Sequence, residues 1–220
     1  MKKLFIACLS VAALTTMSFV SKSPVFEGKI VYSISYEDLP EEYASYMSML
    51  PKESTMYVKG EKFRLEQSAG MGTTVTIIDN KAKTGYICMD MMGNKMAFKM
   101  DAKTFENNTA DENKPEVKYT DETKTIAGYT CKKAEIMSKD AEEPMVIWFT
   151  DELPAFNNKD FKYINGFPME YQVKNGGITM LMTVTTVSKE KVSDSYFKVP
   201  EGYTEKTMQD MESMFGTGGK

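Results

Sequence analysis

Residues 26–37 alternate with a period of two: Phe26, Gly28, Ile30, Tyr32, Ile34 and Tyr36 fall to one side, Glu27, Lys29, Ser33, Ser35 and Glu37 to the other. Only a pleated strand sends every second side chain the same way, so this is a half-buried strand with one wet face. The pattern returns along the chain. Met56 and Val58 alternate with Thr55, Tyr57 and Lys59, and Phe63 and Leu65 with Lys62, Arg64 and Glu66. Met96, Phe98 and Met100 flank Lys95 and Lys99, Met169-Tyr171-Val173 precedes Ile178-Met180-Met182-Val184, and Met145 to Thr150 reads as a more fully buried strand. Gly60, Asp79-Asn80-Lys81, Gly93-Asn94, Ala127-Gly128 and Asn175-Gly176-Gly177 stand between them as turns, at hairpin spacing. The expected fold is mainly β: a curved antiparallel sheet of about ten strands, curled into a half-barrel with a few short helices.

The helices are two. Asp38 caps and Pro40 opens a segment in which Leu39, Tyr43, Tyr46, Met47 and Leu50 follow helical spacing until Pro51. Met208, Met211, Met214 and Phe215 repeat that spacing near the C-terminus. Residues 101–122, with Asn107-Asn108, Asp111-Glu112-Asn113 and Pro115, read as a long polar loop, and 155–168 as irregular chain.

Met1-Lys2-Lys3, the apolar run Leu4 to Leu14 and the small residues Thr16, Ser18 and Ser21 form a secretory signal over 1–21. The run is too short to span a membrane, and Cys8 comes too early for a lipoprotein signal. The protein is therefore expected to be exported, periplasmic or secreted, with one β-rich domain over 22–204 and an amphipathic helix and flexible tail over 205–220. Without Lys2 and Lys3 there are 25 basic residues against 31 acidic, a net charge of −6, and Arg64 is the only arginine. No basic stripe is present for nucleic acid.

The chain contains no histidine, which removes Ser-His-Asp and Cys-His catalysis and the common zinc and copper sites. Asp151-Glu152, after a buried strand, is the best-placed carboxylate pair for acid–base work of the glycoside-hydrolysis kind. Adjacent residues point different ways, however, and a turn is the simpler reading. Asp111-Glu112-Asn113 lacks the ligand spacing of a calcium loop. No metal or cofactor is expected. Cys88 and Cys131 remain after processing; in an oxidising compartment they are most simply one disulfide, the alternative being two buried thiols, and spacing does not decide between them. Methionine is abundant, 19 in 220 residues. Cu(I) ligation, a plastic apolar cavity and ordinary core packing are the three readings of it.

Lys124-Thr125-Ile126-Ala127-Gly128-Tyr129-Thr130-Cys131-Lys132-Lys133-Ala134, then Trp148-Phe149-Thr150-Asp151-Glu152-Leu153-Pro154 and Pro200-Glu201-Gly202-Tyr203, resemble the signature of a family of exported bacterial proteins of unknown function. That family is more distantly similar to the periplasmic lipoprotein carriers and their outer-membrane receptor, the Lol-type fold. The resemblance implies an incomplete antiparallel barrel with helices over a concave apolar face. No functional residue is carried across.

The expectation is a non-catalytic protein whose partner is a lipid or other hydrophobic small molecule, bound by Tyr32, Met56, Phe63, Met96, Phe98, Met180 and Met182. The alternative is a structural or protein-interaction module with a filled core; in either case a protein partner stays open.

Overall fold

The computed structural model describes residues 26–37, 46–70, 72–100, 102, 114–139, 141, 143–156, 161–175 and 178–216. The leader expected over 1–21, the acidic loop Asp111-Glu112-Asn113 and most of the helix expected over 39–50 lie outside them; of that helix, 46–49 is a 3-10 turn. Twelve strands follow one another: β1 (Glu27–Glu37), β2 (Glu53–Lys59), β3 (Lys62–Ala69), β4 (Gly72–Asp79), β5 (Thr84–Met91), β6 (Asn94–Met100), β7 (Glu116–Ile126), β8 (Tyr129–Met137), β9 (Met145–Thr150), β10 (Phe167–Asn175), β11 (Ile178–Lys189) and β12 (Thr204–Thr207). One α-helix, α1 (Met208–Phe215), follows them.

All twelve form a single sheet in the order β12-β6-β5-β4-β3-β2-β1-β11-β10-β9-β8-β7, whose two end strands do not pair, so it is not closed into a barrel. Two meanders, β1 to β6 and β7 to β11, are joined where β1 pairs with β11. Every pairing is antiparallel except that of β12 with β6, which is parallel. The tight hairpin turns follow from positive φ at two successive residues, Met92 (54°) with Gly93 (88°) and Ala127 (48°) with Gly128 (85°).

The alternation read in the sequence survives across the pairing. Ile30 faces Met56, Val58 faces Phe63, Ile87 faces Phe98 and Ile34 faces Met182. These residues share the inner face, where Ile30, Tyr32, Val58, Ile147, Phe167 and Met169 are almost wholly buried. At about 25 cal/mol per Å² of apolar area removed from water, burial on this face is the main source of stability.

The outer face is polar except at one flank. There the chain leaving β11 crosses back as a strap, and Phe197, Val199 and Tyr203 cover Val75, Ile77, Cys88 and Ala97. Arg64 holds the strap down: its Nη1 donates to the Tyr196 carbonyl at 2.9 Å and its guanidinium lies 5.8 Å from that ring's centroid. Lys59 Nζ donates to the Val192 carbonyl at 3.1 Å. The strap then delivers β12 to the free edge of β6, and α1 starts at once, capped reciprocally by Thr207 and Asp210.

Two expectations are corrected. Residues 116–122 are strand and not loop; β7 is an edge strand with mostly exposed residues on both sides, so it carries little apolar alternation to read. Cys88 and Cys131 are free buried thiols and not a disulfide. Their strands, β5 and β8, stand towards opposite flanks of the sheet and the two thiols belong to separate core clusters. Among the described residues no helix is long and apolar enough to cross a membrane.

Candidate functional site

The register puts all seven residues read as lining an apolar cavity on the inner face: Tyr32, Met56, Phe63, Met96, Phe98, Met180 and Met182. It does not leave them facing a common cavity. Tyr32, Met56, Phe63 and Met182 belong to the main core, and Met180 packs against it half-buried. Met96 and Phe98 lie at the flank near α1, with the Phe98 ring 6.1 Å from that of Phe215.

The reason is the irregular chain between β9 and β10. Leu153, Phe156, Phe161 and Ile164 fold into the concavity and join its core. Phe156 meets Phe63 at 4.9 Å between centroids, and Phe161 meets Tyr171 edge-on at 4.6 Å, separations at which aromatic pairs attract beyond their area burial. Of the seven residues, Met56 and Phe63 alone border the cleft that remains, of about 360 Å³, together with Ile78, Phe156, Phe161 and Tyr171. It adjoins a second hollow of about 400 Å³, and Met145, Gln172 and Lys174 line both. Each is at the small end of ligand-pocket size.

Chemically the cleft has an aromatic floor and a polar lip. The lip is already ordered: Gln172 Nε2 donates to Glu37 Oε2 at 2.8 Å, and Lys174 Nζ to Glu143 Oε2 at 3.2 Å. Tyr32, deeper on the same face, is locked neutral, its phenol pushed well above the ordinary value by burial and then by Tyr171. Its hydroxyl donates to the Pro168 carbonyl at 2.9 Å. Such a cleft suits a ligand with apolar faces and hydroxyl or amide edges. A long acyl chain would have to displace the packed rings of Phe156 and Phe161.

Asp151 and Glu152 lie in the bend that follows β9. Asp151 pairs with Lys132 at 2.8 Å, and that hydrogen bond draws its carboxyl below the usual range, while Glu152 accepts from the Thr130 N–H at 3.4 Å. Both therefore engage neighbours on β8, away from the cleft. No group of three His, Cys, Asp or Glu residues with metal-binding geometry occurs among the described residues. Sequence reasoning missed Phe156, Phe161, Gln172 and Lys174. The first two sit in non-periodic chain and carry no positional signal; the last two fall on the wet side of β10 and matter only because β9 begins beside them.

The structure of PNGF-II in a P21 crystal form is similar to this chain, with 21% identity and a TM-score of 0.54, covering 86% of this chain and 33% of that one. Its C2 form gives 22% identity at the same TM-score, covering 86% and 32%. The chain thus spans about a third of the length of those proteins, and the likeness is one of fold. A likeness to MucB, with 10% identity and a TM-score of 0.36 over 80% of this chain and 57% of that one, carries no argument. No curated protein matches. A family model described as the N-glycanase peptide, N-terminal domain, matches residues 30–201. That match corrects the resemblance to an unknown-function family of Lol-type fold. With it go the lipid-binding and filled-scaffold readings and the expectation of a non-catalytic protein, since the family is described as the N-terminal domain of an N-glycanase. The chain belongs to the family of N-glycanase N-terminal domains.

Proposed function

We propose that this protein acts on N-linked glycoconjugates, and that its part in glycan release is to grip the glycan or glycopeptide in the cleft of the inner face. The observation that carries the reading is the family match over residues 30–201. The cleft supports it with complementary chemistry. A pyranose ring has an apolar C–H face and a belt of hydroxyls. The half-buried ring of Tyr171, with the edges of the packed Phe156 and Phe161 rings beneath it, offers the former a surface, while Gln172, Lys174 and Glu143 offer the latter an amide, an ammonium and a carboxylate.

The test is calorimetric titration of the purified chain with an N-glycopeptide and with the same peptide stripped of its glycan, alongside mass-spectrometric detection of released glycan. Saturable binding or release that requires the glycan, and that falls about tenfold in the double variant Gln172→Ala, Lys174→Ala, is expected. Tenfold corresponds to about 1.4 kcal/mol, the loss of one or two hydrogen bonds. Equal behaviour towards glycosylated and bare peptide, with no release, refutes the proposal.

A further inference from the structure

The outer face carries an arrangement that the cleft does not use. Successive strand registers align six residues in one row across six strands: Lys133 faces Trp148, Trp148 faces Glu170, Glu170 faces Thr183, Thr183 faces Ser33, and Ser33 faces Glu53. Neighbouring strands lie about 4.8 Å apart, so the row runs for about 24 Å. At its Glu53 end it opens into a groove of about 540 Å³ lined also by Ser48, Thr55, Glu66 and Ser68.

Three features make this more than a solvated sheet surface. The only tryptophan of the chain stands in this row, half-buried and packed in part against the main core, and Tyr57 of β2 shares the outer face with it. Its ring is held beside a fixed carboxylate: Lys124 Nζ lies 4.4 Å over the indole and donates to Glu170 Oε1, and Thr183 Oγ1 donates to Glu170 Oε2 at 3.3 Å. The charges along the row and its groove nearly cancel, with Lys52, Arg64, Lys124 and Lys133 against Glu53, Glu66, Glu122, Glu135 and Glu170, and hydroxyls fill the middle. A near-neutral line of donors and acceptors, anchored by one aromatic ring, fits a neutral polyhydroxylated chain better than an anion, a cation or an apolar peptide.

We propose that this row, from Trp148 to the groove at Glu53, is a second saccharide-binding track that holds an extended stretch of oligosaccharide on the outer face. It rests on the glycan reading of the inner cleft but uses none of its residues. Strand spacing sets the hydrogen-bonding groups at a repeat close to that of linked pyranose rings. Glu170 and Glu53 accept from sugar hydroxyls, as do Ser33 and Thr183, whose own hydroxyl protons go to the Thr183 carbonyl and to Glu170, and the indole packs against a ring face.

Trp148 is its own reporter, because indole emission responds to a charge moved beside it and no second tryptophan competes. A released N-glycan oligosaccharide is titrated into the full chain while emission is followed, with calorimetry in parallel. The expected result is a saturable change in emission. Glu170→Gln and Ser33→Ala should each weaken the affinity read by fluorescence by about five- to tenfold, and unchanged near-ultraviolet circular dichroism should confirm that both variants fold. Calorimetric binding without any change in Trp148 emission overturns the track and leaves the cleft standing, as does an emission change undiminished in both variants. Silence in both measurements overturns the track together with the glycan reading on which it rests.

Discussion

Removing one oxygen atom from the inner face tests how dry that face is. Tyr32 is 1% exposed, and its hydroxyl reaches over β11 to the Pro168 carbonyl at 2.9 Å. Pro168 stands where the β9–β10 register slips, between Pro168 and Glu170, and a bulge leaves ladder groups to find partners elsewhere. Tyr32→Phe keeps the ring, the packing on Phe167 and the edge contact with Tyr171, and deletes that donor alone. The net worth of a hydrogen bond is about 1 kcal/mol, but a buried carbonyl left without a partner raises the cost to about 1–3 kcal/mol. A loss of about 2 kcal/mol is expected, or about 4–8 °C in Tm for a domain of this size. Tyr36→Phe is the matched control: its hydroxyl donates to the Pro51 carbonyl at 2.7 Å from a half-buried position where water can take its place, and it should cost below about 1 kcal/mol. Urea unfolding of both variants, with unchanged m-values, measures the difference. Equal costs would mean that water reaches Pro168, and the account of a dry inner face packed by the 153–167 chain would fail.

Four further outcomes follow from the same structure. Thiol titration without reductant should find Cys88 and Cys131 unreactive while folded and both reactive in denaturant; a missing pair would restore the disulfide. Burial, opposed by the Arg64 charge, pushes the Cys88 thiol up to about 11, so its contribution to stability is whole below its unfolded value near pH 9 and is lost as pH rises from there through about 11. Urea midpoints should decline across that window, and Cys88→Ala should decline less there. Gly28→Ala should cost about 2 kcal/mol or more, because a Cβ there would lie 2.1 Å from the Ser188 carbonyl oxygen of β11; a melting point within 2 °C of the parent would refute the tight β1–β11 seam. Arg64→Ala should release the strap, raising amide exchange at 194–203 at least tenfold relative to β1, whereas equal protection would show that Phe197 and Val199 hold it unaided.

The fold was legible where one strand face is wet. Tyr32, Met56, Phe63, Met96, Phe98, Met180 and Met182 were sorted to one face by parity alone, because a slip of one residue in any of these strands would put methionine or phenylalanine into water. What parity cannot say is whether something else fills the space in front of that face. Phe156 and Phe161 do so from non-periodic chain, and a cavity became a cleft. The outer row was illegible for a different reason. Ser33 and Glu53 join Trp148, Glu170 and Thr183 only through the pairing of β1 with β11, whose register is set by long-range packing and by no local turn. The parallel β12 was hidden likewise, since four residues with none buried, set against an edge, leave no pattern to read.

That same β1–β11 pairing dictates when the molecule can become whole. Its partners are separated by up to about 160 positions, Gly28 meeting Lys189, and loop closure of that length must precede any reward from contact. The hairpins of the first meander can assemble one after another, but β1 keeps a bare inner edge until β11 arrives. A chain shortened before residue 189, or stalled there, would hold an unclosed apolar sheet with an open edge, which is the form most prone to pair with a neighbour. Refolding should therefore be slow, with hairpin signals leading and Tyr32 burial arriving last.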